Sequence, residues 1–163
     1  MSITDAILHT WAAQRDYAVR LLADLSQDDM TRQPVSGVAM NHAAWTVGHL
    51  SAYPPVLAAI LREQTFADPK DHRYGRDSKP SSDPRDYLPK EILVAELLCG
   101  HDDLAAALAA ANPAILAKPI PLARWQQRFP IIVDAVIHLM LHHESAHLGQ
   151  LSAWRRACGK PAV

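Results

Sequence analysis

The chain has 163 residues, with 16 Lys+Arg against 17 Asp+Glu and a formal net charge of -1. That length suits one domain, 1–163, with a sizeable single core, and the balanced charge excludes bulk attraction to nucleic acid or to an anionic membrane. No segment has the roughly 20 apolar residues of a membrane span, and the amino end MSITDAILHTW lacks the basic, apolar and small-residue order of a leader. The expectation is a cytoplasmic protein with a small-molecule partner.

In chain order, four helical segments are separated by stretches rich in Pro, Asp and Ser, with no strand alternation between them, so the predicted class is all-α. The first helix is predicted over 4–25, capped by Thr4, with Ile7, Trp11, Ala18, Leu21 and Leu25 on one stripe and His9 off it. The second starts at Asn41 as N-cap and carries His42, Trp45, His49, Ala52, Tyr53 and Val56 on one face. Pro54 and Pro55 are expected to kink or divide it. The polar segment 64–88 follows; its roughly 25 residues can extend to about 80 Å, enough for a crossover between parallel helices, or they form a loose surface loop.

The third helix follows Pro89 and ends near Ala111, before Asn112-Pro113. The fourth follows Pro130 and closes at Gly159, with Arg155 and Arg156 near its negative end. Cys99 and Cys158 fall in helical sequence without metal-type spacing and read as small apolar fillers.

Nine histidines make their placement the main question. At about 100° per residue, the fourth helix turns Phe129, Ile132, Val136, Leu139, Met140, His143, His147, Gln150, Trp154 and Cys158 inward. His138 falls on the opposite, wetter side and His142 on the flank. Two inward imidazoles one turn apart carry ring nitrogens that need partners, and a divalent ion supplies them.

HHESAHLGQ contains H-E-x-x-H, but the chain after His147 has no Asp, Glu or His. The extended H-E-x-x-H-x-x-G-x-x-H pattern meets Gln150 and Ala153 where glycine and histidine are required, which removes the usual peptidase arrangements. A third ligand must come from upstream, and inward-facing His49 is the best candidate. His42 lies about 10 Å away along the same helix axis. His101 continues the apolar stripe of the third helix and reads as a pocket-lining residue, a fourth ligand, or a core histidine bonded to a carbonyl. His72 lies in the polar loop without a specific role.

Glu144 reads as a general base toward water at the metal, or as a carboxylate behind the ligands. Gln150 reads as a hydrogen-bonding group in the pocket, or as a structural amide. Ile137, Leu141 and Leu148, flanked by Glu144 and Arg155, form a second apolar strip suited to a second subunit, making a homodimer the expectation, or to the first helix.

Taken together, WTVGHL, HHESAHLGQL and the closing RRACGKP resemble the DinB-like superfamily of metal-binding four-helix bundles, in motif order over nearly the whole chain. The resemblance implies an up-down-down-up bundle with a long crossover between helices two and three, and a divalent metal on His49, His143 and His147. It also implies a thiol-dependent transferase or isomerase using a low-molecular-weight thiol such as bacillithiol or mycothiol. Three functions follow as expectations: a zinc- or nickel-dependent S-transferase acting on small electrophiles, a metal-dependent hydrolase with Glu144 as base, or a metal-binding structural or sensory bundle.

Overall fold

A computed structural model describes residues 2–163, and the regular structure among them is helical, apart from one isolated bridge, Pro119 to Ile131. Helix α1 spans Ile3–Ala23. Its cap is Ser2 rather than Thr4: the Ser2 hydroxyl accepts from the Asp5 amide at 3.1 Å and the Asp5 carboxylate accepts from the Ser2 amide at 2.7 Å. This reciprocal pair satisfies two amides, more than a lone Thr4 hydroxyl would.

Helix α2, Ala43–Ser51, is capped by His42 rather than Asn41. The His42 Nδ1 accepts from the Trp45 amide at 3.3 Å, while its Nε2–H donates to the Ser81 carbonyl at 2.7 Å. Asn41 is occupied elsewhere, donating through Nδ2 to Gln150 Oε1 at 3.0 Å. The prolines divide the segment as expected: α3, Pro54–Leu61, begins with Pro54 in its first turn.

Segment 64–88 is anchored. Tyr74 is buried and stacks on Tyr87 with ring centroids 5.7 Å apart. Trp45 Nε1 donates to Ser78 Oγ at 2.9 Å, and the Ser81 amide donates to Tyr87 Oη at 2.8 Å. The segment thus lies along α2 as a strap. Helix α4, Lys90–Ala110, follows, and then a short α5, Pro113–Leu116, capped by Asn112.

The last predicted helix is interrupted. Helix α6, Ile132–Ile137, passes through a π-helical stretch, His138–His143, into α7, Glu144–Ala157. Gly159, at φ +81°, ends α7 in the left-handed conformation that lacks a penalty only without a Cβ. The wider π turn re-phases the helix. Beyond it Glu144, Leu148, Leu151, Trp154 and Arg155 are buried, whereas Gln150 is exposed. The second apolar strip is therefore largely satisfied within the chain: Leu148 and Arg155 are buried, and Arg155 donates through Nη1 to the Leu21 carbonyl of α1 at 2.7 Å and also binds Asp24. Ile137 alone of that strip is exposed at 42%.

Cross-helix pairs fix the neighbours. Arg62 at the end of α3 binds Asp103 of α4, and Arg15 of α1 binds Asp102 of α4. A Cβ added at Gly100 would meet Pro54 at 3.4 Å, so the start of α3 rests on the middle of α4. Apolar packing forms two clusters, one around α3, α5 and α6, the other around the second half of α1, α2 and α7. Cys99 is exposed, so it is not the core filler expected, and Cys158 is half-buried. No helix among the described residues is long and apolar enough to cross a membrane.

Candidate metal centre

His49 stands in the last turn of α2, where the backbone of the strap fixes its tautomer. Its Nδ1–H donates to the Tyr74 carbonyl at 2.6 Å, which leaves the lone pair on Nε2. The ring stacks on Trp45 with centroids 4.7 Å apart and planes 9° apart. Gly48 makes this possible. A Cβ at that position would stand 2.4 Å from the Tyr74 ring, so only glycine lets the strap approach closely enough for the Tyr74 carbonyl to reach His49.

Opposite, the end of the π stretch and the first turn of α7 present His143 and His147, with ring centroids 4.6 Å apart. The Nε2 atoms of His49 and His143 face each other at 3.0 Å, and one ligand atom from each of the three histidines lies within 4.8 Å of the others. Nitrogen ligands at about 2.0–2.1 Å from a tetrahedral ion sit roughly 3.3 Å from one another, close to the His49–His143 spacing. The Nδ1 of His147 is buried without a hydrogen-bond partner. A cation shared by the three rings would satisfy this donor set, whereas His49 and His143 can form only one N–H···N bond between their Nε2 atoms, which leaves the His147 ring outside it.

The rings are neutral at physiological pH. Burial, reinforced by His147 and His49, pushes His143 down to about 3. Burial and the charge that His49 would carry push His147 to about 4. Burial also lowers His49, against the Tyr74 carbonyl, which acts in the opposite direction. Neutral imidazole is the ligating form, so no proton need be displaced near pH 7.

The triad lines a cavity of about 490 Å³ walled by Trp45, Tyr53, Trp125, Phe129 and Leu139, with Arg76, Arg124, Arg128, Gln127 and His138 contributing polar groups. This is within the usual range for small-molecule sites, about 300–1,000 Å³. His138 is here because of the π stretch: a plain α-helix puts it on the far side, but its ring packs 4.8 Å from Phe129 and 6.0 Å from His143. Burial, with Arg128 next, lowers it to about 4. The arginines and Trp125 come from irregular segments whose path no periodicity reveals.

The other expected site residues lie outside the cavity lining. Glu144 is 1% exposed, and its Oε1 accepts from His101 Nε2 at 2.9 Å. His101 stacks on Trp11 with centroids 3.8 Å apart, and its carbonyl accepts from Trp11 Nε1 at 3.0 Å. His101 is thus a buried core residue with a carboxylate partner, separate from the triad. Gln150 is at the surface with Asn41, because the π turn rotates it out of the inward face.

A helical domain in which α2 and α7 bring together three histidines able to hold a metal ion defines the class. The DinB superfamily model matches residues 10–151, and the chain belongs to that superfamily. No curated protein and no solved structure matches the chain significantly.

Proposed function

We propose that this chain is a divalent-metal-dependent enzyme that joins a low-molecular-weight thiol to a small electrophilic substrate, with His49, His143 and His147 holding zinc or nickel. The observation that carries the proposal is the convergence of three neutral imidazoles on the wall of an aromatic-lined cavity. Borderline-soft ions suit such nitrogen donors and also accept sulfur. A cation held by three protein ligands has a position free for a guest, where it would act as a Lewis acid and keep a thiol ionised near neutral pH.

The chain's own residues do the rest. Tyr74 orients His49, and Trp45 backs the ring. Trp125, Phe129 and Leu139 exclude water from the reacting atoms and give an electrophile an apolar bed. Transfer forms a bond between the thiol sulfur and the electrophilic carbon as the bond from that carbon to its leaving group breaks; the thiol proton passes to solvent and the leaving group departs with the bonding electron pair as an anion.

Glu144 supports this reading over hydrolysis. Its carboxylate is engaged by His101 and borders a separate narrow void with His49 and His143, not the large cavity in which a base for water must reach the nucleophile. An up-down-down-up order of the bundle belongs to the same proposal. It is supported by the Arg62–Asp103 and Pro54–Gly100 neighbours, which run α3 and α4 in one direction, and by Asn41–Gln150 and His49–His143, which oppose α2 and α7.

The test is turnover of a bimane or dinitrophenyl electrophile with a series of small thiols, using zinc- or nickel-loaded protein. Product formation that needs both metal and thiol and disappears in His147→Ala supports the proposal. Metal-dependent ester hydrolysis without thiol, lost in Glu144→Gln, would replace it with the hydrolytic alternative.

A further inference from the structure

The cavity that holds the triad has a charge pattern that the triad does not require. Three arginines line it, Arg76 from the strap and Arg124 and Arg128 from the segment before α6, and no carboxylate does. Arg124 is neutralised: it binds Asp68 with an Nη2–Oδ1 distance of 2.6 Å and lies over the rings of Tyr53 and Trp125. Arg76 and Arg128 have no ion-pair partner among the described residues. The Arg128 guanidinium rests over the Phe129 ring, 5.3 Å from its centroid, which holds it beside the cavity without satisfying its donors.

In a chain of net charge -1, two exposed guanidinium groups without ion-pair partners beside one cavity are a local excess of positive charge, and the aromatic walls next to them reduce its screening on that side. Three imidazole ligands add no negative charge, so a bound divalent ion leaves the cavity more positive still. A neutral guest would gain less from this arrangement than an anionic one.

We infer that the cavity selects a guest with an apolar body and an oxyanion, a carboxylate or a phosphate, that is received by Arg76 and Arg128. The planar guanidinium fork pairs with either group through two parallel hydrogen bonds. Trp45, Tyr53 and Trp125 receive the apolar body. This deepens the proposed function, resting on the same cavity being the substrate site, and it assigns the substrate or its thiol partner to an anionic class.

The experiment is a binding titration, independent of turnover, in which phenylacetate, phenyl phosphate and the neutral isostere phenylacetamide are added to zinc-loaded protein. Tryptophan fluorescence reads occupancy, because Trp45 and Trp125 line the cavity. The expected result is at least about 10-fold tighter binding of one or both oxyanions than of the amide. Arg76→Gln and Arg128→Gln should each remove about 5-fold or more of that preference. Arg20→Gln, which makes the same change of net charge on α1 away from the cavity, should leave it intact. Raising ionic strength should narrow the preference, as screening requires. A preference for phenylacetate assigns a carboxylate, and one for phenyl phosphate assigns a phosphate.

Equal binding of all three probes overturns the inference. So does an oxyanion preference that survives both arginine substitutions, since the cation alone would then be its source. If the chain fails to take up zinc, the proposed function fails, but the arginine-dependent preference is still measurable on the metal-free protein, so the two failures remain distinct.

Discussion

Behind His49 stands a residue with no side chain. Gly48 lets the Tyr74 ring lie against α2, and the Tyr74 carbonyl then fixes the His49 tautomer. Gly48→Ala should push the strap away and weaken metal binding by about 10- to 100-fold, the usual cost of losing a partner behind a ligand; competition with a chromophoric chelator measures it. The lowered histidines set a pH dependence for the metal-free protein. His138, His143 and His147 have folded values of about 4, about 3 and about 4. In the unfolded chain each titrates near 6.5. Below that value the unfolded state binds more protons than the folded one, so stability falls as pH drops from about 6.5 toward about 4. The slope is on the order of 1 kcal/mol per pH unit for each responsive ring. Urea denaturation of chelator-treated protein between pH 7 and 4.5 reads it, and an unchanged midpoint would mean that these rings are not buried neutral.

At the scale of elements, the π stretch decides which side chains share a surface. WTVGHL and the His143/His147 pair were legible in the sequence because both fall on apolar stripes of ordinary helical period. Gln150 and His138 stand elsewhere than a uniform 100° step places them, because the turn is wider through His138–His143. The same re-phasing buries Glu144 against His101 and Arg155 against α1. Nothing in the composition of HLMLHH distinguishes a π turn from an α turn, so this part of the site was not readable from periodicity. Two substitutions test the resulting roles. Arg155→Ala should cost about 2 kcal/mol, because it removes a buried side chain and leaves the Leu21 carbonyl without its donor, while the half-exposed Asp24 can be hydrated instead; equilibrium unfolding checks this. Glu144→Gln retains an acceptor for His101 and should keep metal content unchanged while costing about 1 kcal/mol.

For the whole molecule, the helical class and the division of the second segment at Pro54 followed from pattern and proline chemistry. The cavity did not, because half of its wall comes from the strap and from the irregular segment before α6. These pieces have no repeat to betray their fold, yet they bring the backbone partner of His49, the apolar walls and the arginines to one place. Metal should accordingly tighten the whole domain. An ion that binds only the folded state stabilises it by about 2.7 kcal/mol at a hundredfold excess over its dissociation constant, which calorimetry would show as a rise in Tm that His49→Ala abolishes.

X-ray absorption at the metal edge of the zinc-loaded protein, before and after addition of a small thiol, reaches the central claim most directly. Three imidazole nitrogens at about 2.0–2.1 Å are expected, together with a further ligand that is replaced on thiol addition by sulfur at about 2.3 Å. A metal shell that lacks imidazole scattering, or one left unchanged when His49, His143 and His147 are replaced, would contradict it.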